Sequence, residues 1–279
     1  MINKFDSQYI MKKIIFNASM PRSGSELLQV LLHQNPKIYG SATSPLLEYQ
    51  YAARNNIELA EVKSQDPVLM QHAFISMCAG MAQAYYAPIT NRPIVCDKNR
   101  GWTHYREWVE QWNPNSKMIC MVRDLRATVA SMEKIHRQTR HLPNNVDNPA
   151  TLQNMTVAQR AQHWLTSQPI GLALLRTLDS FQRNEAKHIL FVRYEDLCAE
   201  PQKTMDSIYE YIGEGKFVHD FVNIKKEVEE DDSHFGPYGR HKVEGPLRPA
   251  GRDYIDILGK ELCAAIRKEY EWFFEAFNY

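Results

Sequence analysis

The run Met20-Pro-Arg-Ser-Gly-Ser-Glu26 has the residue types needed to hold a tetrahedral anion. Arg22 can grip such a group in a fork, Ser23 and Ser25 can donate hydroxyls, and Gly24 lets the backbone approach closely. A small-residue loop of this kind aims successive backbone N–H groups outward, and a helix beginning there adds partial positive charge. The chemistry is that of a phosphate or sulfate ester. Basic and hydroxyl residues recur further along, at Lys98, at Arg123 and, eight residues later, at Ser131. The loop is not a Walker A sequence, because Gly24 is followed by Ser25 and Glu26 with no lysine to reach between phosphates, and no G-x-G-x-x-G occurs. These residues alone leave the cofactor open.

The elements that must position them follow from apolar periodicity. Ile14 to Phe16 reads as a buried strand, Ser19 to Ser25 as the loop, and the following Leu27, Leu28, Val30, Leu31 and Leu32 as a helix stopped by Asn35-Pro36. Ile38 to Ser44 reads as a loop. Residues 45–58 and 66–87 have helical spacing, and the stripe Met70, Phe74, Met77, Met81 reads as core filling. Further strands are expected over 93–98, 117–122 and 188–194, each ending in charged or polar residues. Asp124 is placed to cap a helix from Leu125 to Arg137, and Pro169 to break a long helix that Thr156 opens. Pro201 starts a helix ending at Gly213, and one last helix runs from Tyr254. Strands alternating with helices predict a three-layer α/β fold, with a mainly parallel central sheet flanked by helices. Ligands of such sheets lie at the carboxyl ends of the strands, where Arg22, Lys98, Arg123 and Tyr194 all fall.

The 279 residues, 44% of them hydrophobic, suit one α/β domain over 1–279, with 139–155 and 223–252 as site-covering loops. Lys+Arg and Asp+Glu both number 33, so no overall field favours a nucleic acid partner. Five cysteines without C-x-x-C spacing read as reduced thiols, and no apolar run is long enough to span a membrane. A cytoplasmic protein is expected.

Four segments in order resemble the PAPS-dependent sulfotransferases (PAPS is 3′-phosphoadenosine 5′-phosphosulfate). The likeness is to their tyrosylprotein-sulfotransferase-like and bacterial branch. They are Met20-Pro-Arg-Ser-Gly-Ser-Glu-Leu-Leu28, Val95-Cys-Asp-Lys98, Met121-Val-Arg-Asp-Leu-Arg-Ala-Thr-Val-Ala-Ser-Met132, and Phe191-Val-Arg-Tyr-Glu-Asp-Leu197 with Pro201. The resemblance implies a P-loop-type fold and transfer of the sulfuryl group of PAPS to a hydroxyl or amine, releasing PAP. It implies that Arg22, Ser23, Gly24 and Ser25, with Glu26 beside them, hold the 5′-phosphosulfate. It likewise implies that Arg123 and Ser131 bind the 3′-phosphate, that Tyr194 lies on the nucleotide side, and that Lys98 neutralises charge in the transfer. Arg252 is similar to a basic residue that closes over the 3′-phosphate, a role also open to Arg240, Lys242 or Arg248. No metal is implied.

The general base is not at a family position. The stretch Tyr39-Gly-Ser-Ala-Thr-Ser44 holds no Glu, and Arg100 stands where the cytosolic branch has His. Glu48 and His104 are the replacements in reach, with Glu26, beside the anion and repelled by it, as a third. The acceptor can be a small molecule, a carbohydrate, a lipid or a peptide. The alternatives are a P-loop small-molecule kinase and an inactive nucleotide-binding module.

Overall fold

The computed structural model describes residues 11–141, 150–235 and 243–279. Among them is a five-stranded, wholly parallel sheet: β1 (Lys13–Asn17), β2 (Ile38–Thr43), β3 (Ile94–Lys98), β4 (Met118–Val122) and β5 (Ile189–Arg193), in the order β2-β3-β1-β4-β5. The chain leaves β1 toward β2 and β3 on one side, then crosses to β4 and β5 on the other. The carboxyl end of β1 is therefore the point where the winding reverses, and a crevice opens there.

Both faces of the sheet are covered, as the uninterrupted apolar strands require. Ile14 and Phe16 of β1, Val95 of β3, and Met118, Cys120 and Val122 of β4 face one core layer with Trp102, Trp112, Trp164 and Phe273. The intervening Ile15, Ile94, Cys96, Ile119 and Met121 face the other, with Leu28 and Leu31 of the helix Ser25–Gln34 and Met205 and Ile208 of the helix Pro201–Ile212. This two-residue alternation follows from the pleat.

Several elements lie where the sequence predicts them. Asp124 accepts a hydrogen bond from the Arg126 N–H and caps the helix Leu125–Thr139. Thr156 and Gln159 form a reciprocal capping box, and the helix it opens, Val157–Thr166, resumes as Ile170–Gln182 after Pro169. Three expectations are corrected. Ile38–Thr43 is not a loop but the edge strand β2. Its Gly-Ser-Ala interior lacks a strand signature because Gly40 passes so close to the first helix that a Cβ would lie 2.3 Å from the Gln29 carbonyl oxygen. Of the stripe Met70, Phe74, Met77, Met81, Phe74 and Met81 pack against the core as expected, but Met70 and Met77 line an open apolar cavity of about 1090 Å³, and Cys78, Ala82 and Tyr86 supply that helix's buried side. The terminal helix is three short ones, Tyr254–Leu258, Lys260–Glu269 and Glu271–Ala276, the first break falling at Gly259 with its φ of +83°.

Candidate functional site

β1 delivers its loop to the crevice. The N–H groups of Ala18 and Met20 bond the Ile119 and Met121 carbonyls at 2.8 and 3.0 Å, so the chain stays tied to β4 up to Met20. Arg22 then takes a φ of +58° and Gly24 one of +90°, and the helix starts at Ser25. The buried Ser23 hydroxyl is committed to the Met20 carbonyl at 2.6 Å, which stiffens the turn. Among the described residues, no acceptor meets the N–H groups of Ser23, Gly24, Ser25 or Glu26. They are the open end of a helix, a position that favours an anion.

Tyr194, at the end of β5, closes the cradle. A Cβ on Gly24 would come within 2.6 Å of its ring, so both the backbone conformation and the contact demand glycine. Burial chiefly pushes the Tyr194 phenol up to about 12, so it remains protonated. The Arg123 guanidinium lies over the same ring at 4.7 Å and donates to the Arg22 carbonyl at 3.2 Å, while its buried Nε has no hydrogen-bond partner among the described residues. Ser131 accepts a 3.2 Å hydrogen bond from Arg22 Nε. Arg22, Ser131 and Arg123 are thus drawn together, with Arg22 between the other two. They border a cleft of about 780 Å³ lined by Arg22, Gly24, Arg123, Tyr194, Pro246 and Arg248 among others. Arg252 is exposed and outside that lining, whereas Arg248 is part of it. Arg240 and Lys242 lie outside the described residues.

Lys98 ends β3 beside the loop. Its ammonium donates to Glu26 and, at 3.2 Å, to Glu230, and Lys226 reaches the same carboxylates at 2.9 and 3.5 Å. The side chains of Lys98, Glu26 and Glu230 are only 12, 4 and 6% exposed, so the charges interact with little screening. Against the desolvation that burial imposes, Lys98 and hydrogen bonds from Thr43 hold the Glu230 carboxyl down at about 2. Glu26 sits in the first turn of the helix, where the macrodipole also favours a carboxylate. Glu230 and Lys226 escape sequence reasoning. Nothing local marks them, although both lie in the charged 223–252 segment expected over the site.

Next to Lys98, Asn99 is buried and organises the neighbouring strand end. Its amide donates to the Ser44 carbonyl at 2.9 Å and to both Glu48 carboxylate oxygens at 3.0 and 3.2 Å. Glu48 is solvent-accessible and aligned with the end of β3. The His104 imidazole lies 3.3 Å from Asp179. Asp97 points the other way, accepting from the Tyr86 hydroxyl and the Trp102 indole, each at 2.6 Å, in the core. Among the described residues, no group of three or more His, Cys, Asp or Glu side chains could hold a metal ion, and no helix is long and apolar enough to cross a membrane. All five cysteines are free.

The profile of the sulfotransferase family matches residues 15–217. Among solved structures, the sulfotransferase domain from the curacin biosynthetic pathway is similar, with 17% sequence identity, coverage of 93% of this chain and 98% of that one, and a TM-score of 0.54. Sulfotransferase STF9 from Mycobacterium avium shares 15% identity over 93% of this chain and 76% of its own, with a TM-score of 0.50. At these identities the two structures show a common fold. No curated protein sequence matches the chain.

Proposed function

The chain belongs to the sulfotransferase family, and we propose that it moves the sulfuryl group of PAPS in line to a hydroxyl or amine acceptor and releases PAP. The observation that carries this reading is the pairing of an open helix N-terminus with the unpartnered, buried Nε of Arg123, both at the cleft edge. One supports a 5′-phosphosulfate, the other a 3′-phosphate. When bound, PAPS supplies an activated sulfuryl group on a phosphate leaving group.

The chain's own residues have separable tasks. The N–H groups of Ser23 to Glu26 and the Arg22 guanidinium orient the donor and meet charge on the leaving oxygen. Tyr194, clamped between Gly24 and Arg123, gives a flat wall on the nucleotide side. Arg248, which lines the cleft, approaches the 3′ side in this reading, and Arg252 does not. Lys98, held toward the loop by Glu26, neutralises charge on the transferring oxygens once it releases Glu230. Glu48, oriented by Asn99, takes the acceptor proton. The bonds that aim Glu48 support this role over His104. We read the chain as one domain acting in the cytoplasm, a reading its free cysteines support.

The kinase alternative needs a lysine in the loop and an acidic strand end facing a metal, and Asp97 is turned into the core instead. The test is conversion of PAPS to PAP with a panel of hydroxyl and amine acceptors in the presence of EDTA. Acceptor-dependent PAP release that persists in EDTA is the expected result. Phosphoryl transfer from Mg²⁺-ATP, with PAPS untouched, would overturn the proposal.

A further inference from the structure

The donor reading leaves the apolar cavity beside the helix Pro67–Tyr86 unused. It measures about 1090 Å³, and its walls come from that helix, from the helix Leu46–Arg54 and from the segment that joins the two. Tyr51, Ile57, Leu59, Met70, Phe74 and Met77 line it. Ile57, Leu59 and Met77 are 49, 50 and 45% exposed, and the short helix Ala60–Lys63 in the joining segment buries none of its residues. Apolar surface gathered in one concavity and left this open is the mark of a binding site for an apolar group.

The cavity adjoins the proposed base. Leu47, Gln50, Tyr51 and Arg54 form the stripe of the helix Leu46–Arg54 that faces it, and Glu48 stands on the flank of that stripe, three residues before Tyr51. Leu47 packs so closely on Gly101 that a Cβ there would lie 2.2 Å from its Cδ2. The Gly101 N–H donates to Asn99 Oδ1 at 2.8 Å, and the amide of the same Asn99 donates to Glu48 at 3.0 Å. One packed unit therefore forms part of the cavity wall and aims the carboxylate.

The lining also limits the ligand. Tyr51 and Tyr105 meet edge to face at 6.4 Å, and Phe74 stacks on Trp108 at 5.2 Å, so these rings are already paired with each other. The surface left over is the thioether and aliphatic surface of Met70, Met77, Ile57, Leu59 and Val62, which adapts to a flexible chain better than to a rigid ring. Of the charged residues in the lining, Glu58 pairs with Lys63 and Glu107 with Arg183, and Arg54 is exposed in the last turn of its helix.

We infer that this cavity takes the apolar body of the acceptor, and that the accepted molecule is an amphiphile with an unbranched alkyl chain whose reacting hydroxyl or amine lies at the end toward Glu48. Burial of the chain supplies the binding energy. The hydroxyl oxygen forms the new S–O bond as the bond from sulfur to the phosphate oxygen breaks, and its proton passes to Glu48. This deepens the sulfotransferase reading and rests on it.

The probes are 1-butanol, 1-hexanol and 1-octanol, titrated calorimetrically into PAP-saturated protein and then assayed with PAPS for PAP release. Affinity and kcat/KM should each rise roughly tenfold for every two added methylenes. Met77→Glu and Ile57→Asp, both at half-exposed positions, should each erase that gain, whereas Met77→Leu should keep it. PAP affinity should stay within about twofold in all three. A flat series, binding of none of the alcohols, or a gain that survives both charged variants overturns the inference and leaves the donor reading intact. Octanol bound but not turned over would assign the cavity to a ligand other than the acceptor. A dimer in sedimentation that Met77→Glu dissolves, with no chain-length gain, would assign it to a second copy of the chain. Either result overturns the inference. Failure of wild type to bind PAP at all would instead overturn the donor reading from which this one starts.

Discussion

The two halves of the crevice are built differently. On the side of β1, β4 and β5, each contribution comes from a strand end and the residues just after it: the Arg22 to Ser25 loop, Arg123 with Ser131, and Tyr194. Each is placed by the end of its own strand, although their mutual contacts join residues 109 and 101 apart in sequence, and one ring, Tyr194, touches both Gly24 and Arg123. On the side of β2 and β3, the strand-end residues are Thr43, Lys98 and Asn99. Their carboxylate partners are not strand-end residues, Glu230 lying 132 residues from Lys98 and Glu48 51 residues from Asn99. The proposed donor half is a preformed cradle, and the proposed acceptor half is a charge network assembled from separate elements. A phosphate cradle is a local backbone property that many chains can share, whereas acceptor choice rests on side chains carried by variable segments.

This contrast can be broken most severely at Lys98, the residue common to both halves. Lys98→Ala is expected to lower turnover by about 10²–10³-fold while PAP affinity changes little, which steady-state rates and PAP titration together would show. Glu48→Gln tests whether the acceptor half supplies the base. Turnover should fall by about 10²-fold, with PAP binding unchanged.

Glu230→Gln tests the network itself. Its carboxyl is depressed from 4.5 to about 2, so the stability it contributes is fully present above 4.5 and is lost as pH falls through about 2. The variant should be less stable than wild type by roughly 1–2 kcal/mol at neutral pH. Thermal unfolding curves of the two proteins should converge as pH falls from 4.5 toward 2. A constant gap across that range would mean that the loss is one of packing. The smallest effect separates two arginines on the donor side: Arg248→Ala should weaken PAP binding by about tenfold, and Arg252→Ala by less than about twofold.

The same contrast explains what the sequence makes legible. A strand, a small-residue loop and a helix are contiguous, so the composition of residues 13 to 34 announces both the fold and the anion cradle. Arg123 and Tyr194 end apolar runs, which puts them at the carboxyl edge of a parallel sheet without further information. β2 is hidden because its interior residues are selected for a close pass against Gln29 and not for strand propensity. The Met70 to Met77 stripe has helical spacing whether it faces a core or an open apolar cavity, and periodicity cannot tell the two apart. Glu230 and Lys226 are two more charges in a charged segment until tertiary structure folds them onto Glu26 and Lys98. Glu26 looks out of place beside an anion until those two lysines are seen to hold it.

The central claim is that the β1–β4–β5 side is a metal-independent site for 3′-phosphoadenosine 5′-phosphate chemistry. Calorimetric titration of wild type and Arg123→Ala with PAP and with ATP, each with and without Mg²⁺, tests it most directly. The expected result is PAP binding that ignores Mg²⁺ and falls by about 10–100-fold in Arg123→Ala, the loss of a charge-assisted contact to the 3′-phosphate. PAP binding that Arg123→Ala leaves untouched, or a preference for Mg²⁺-ATP, would contradict it.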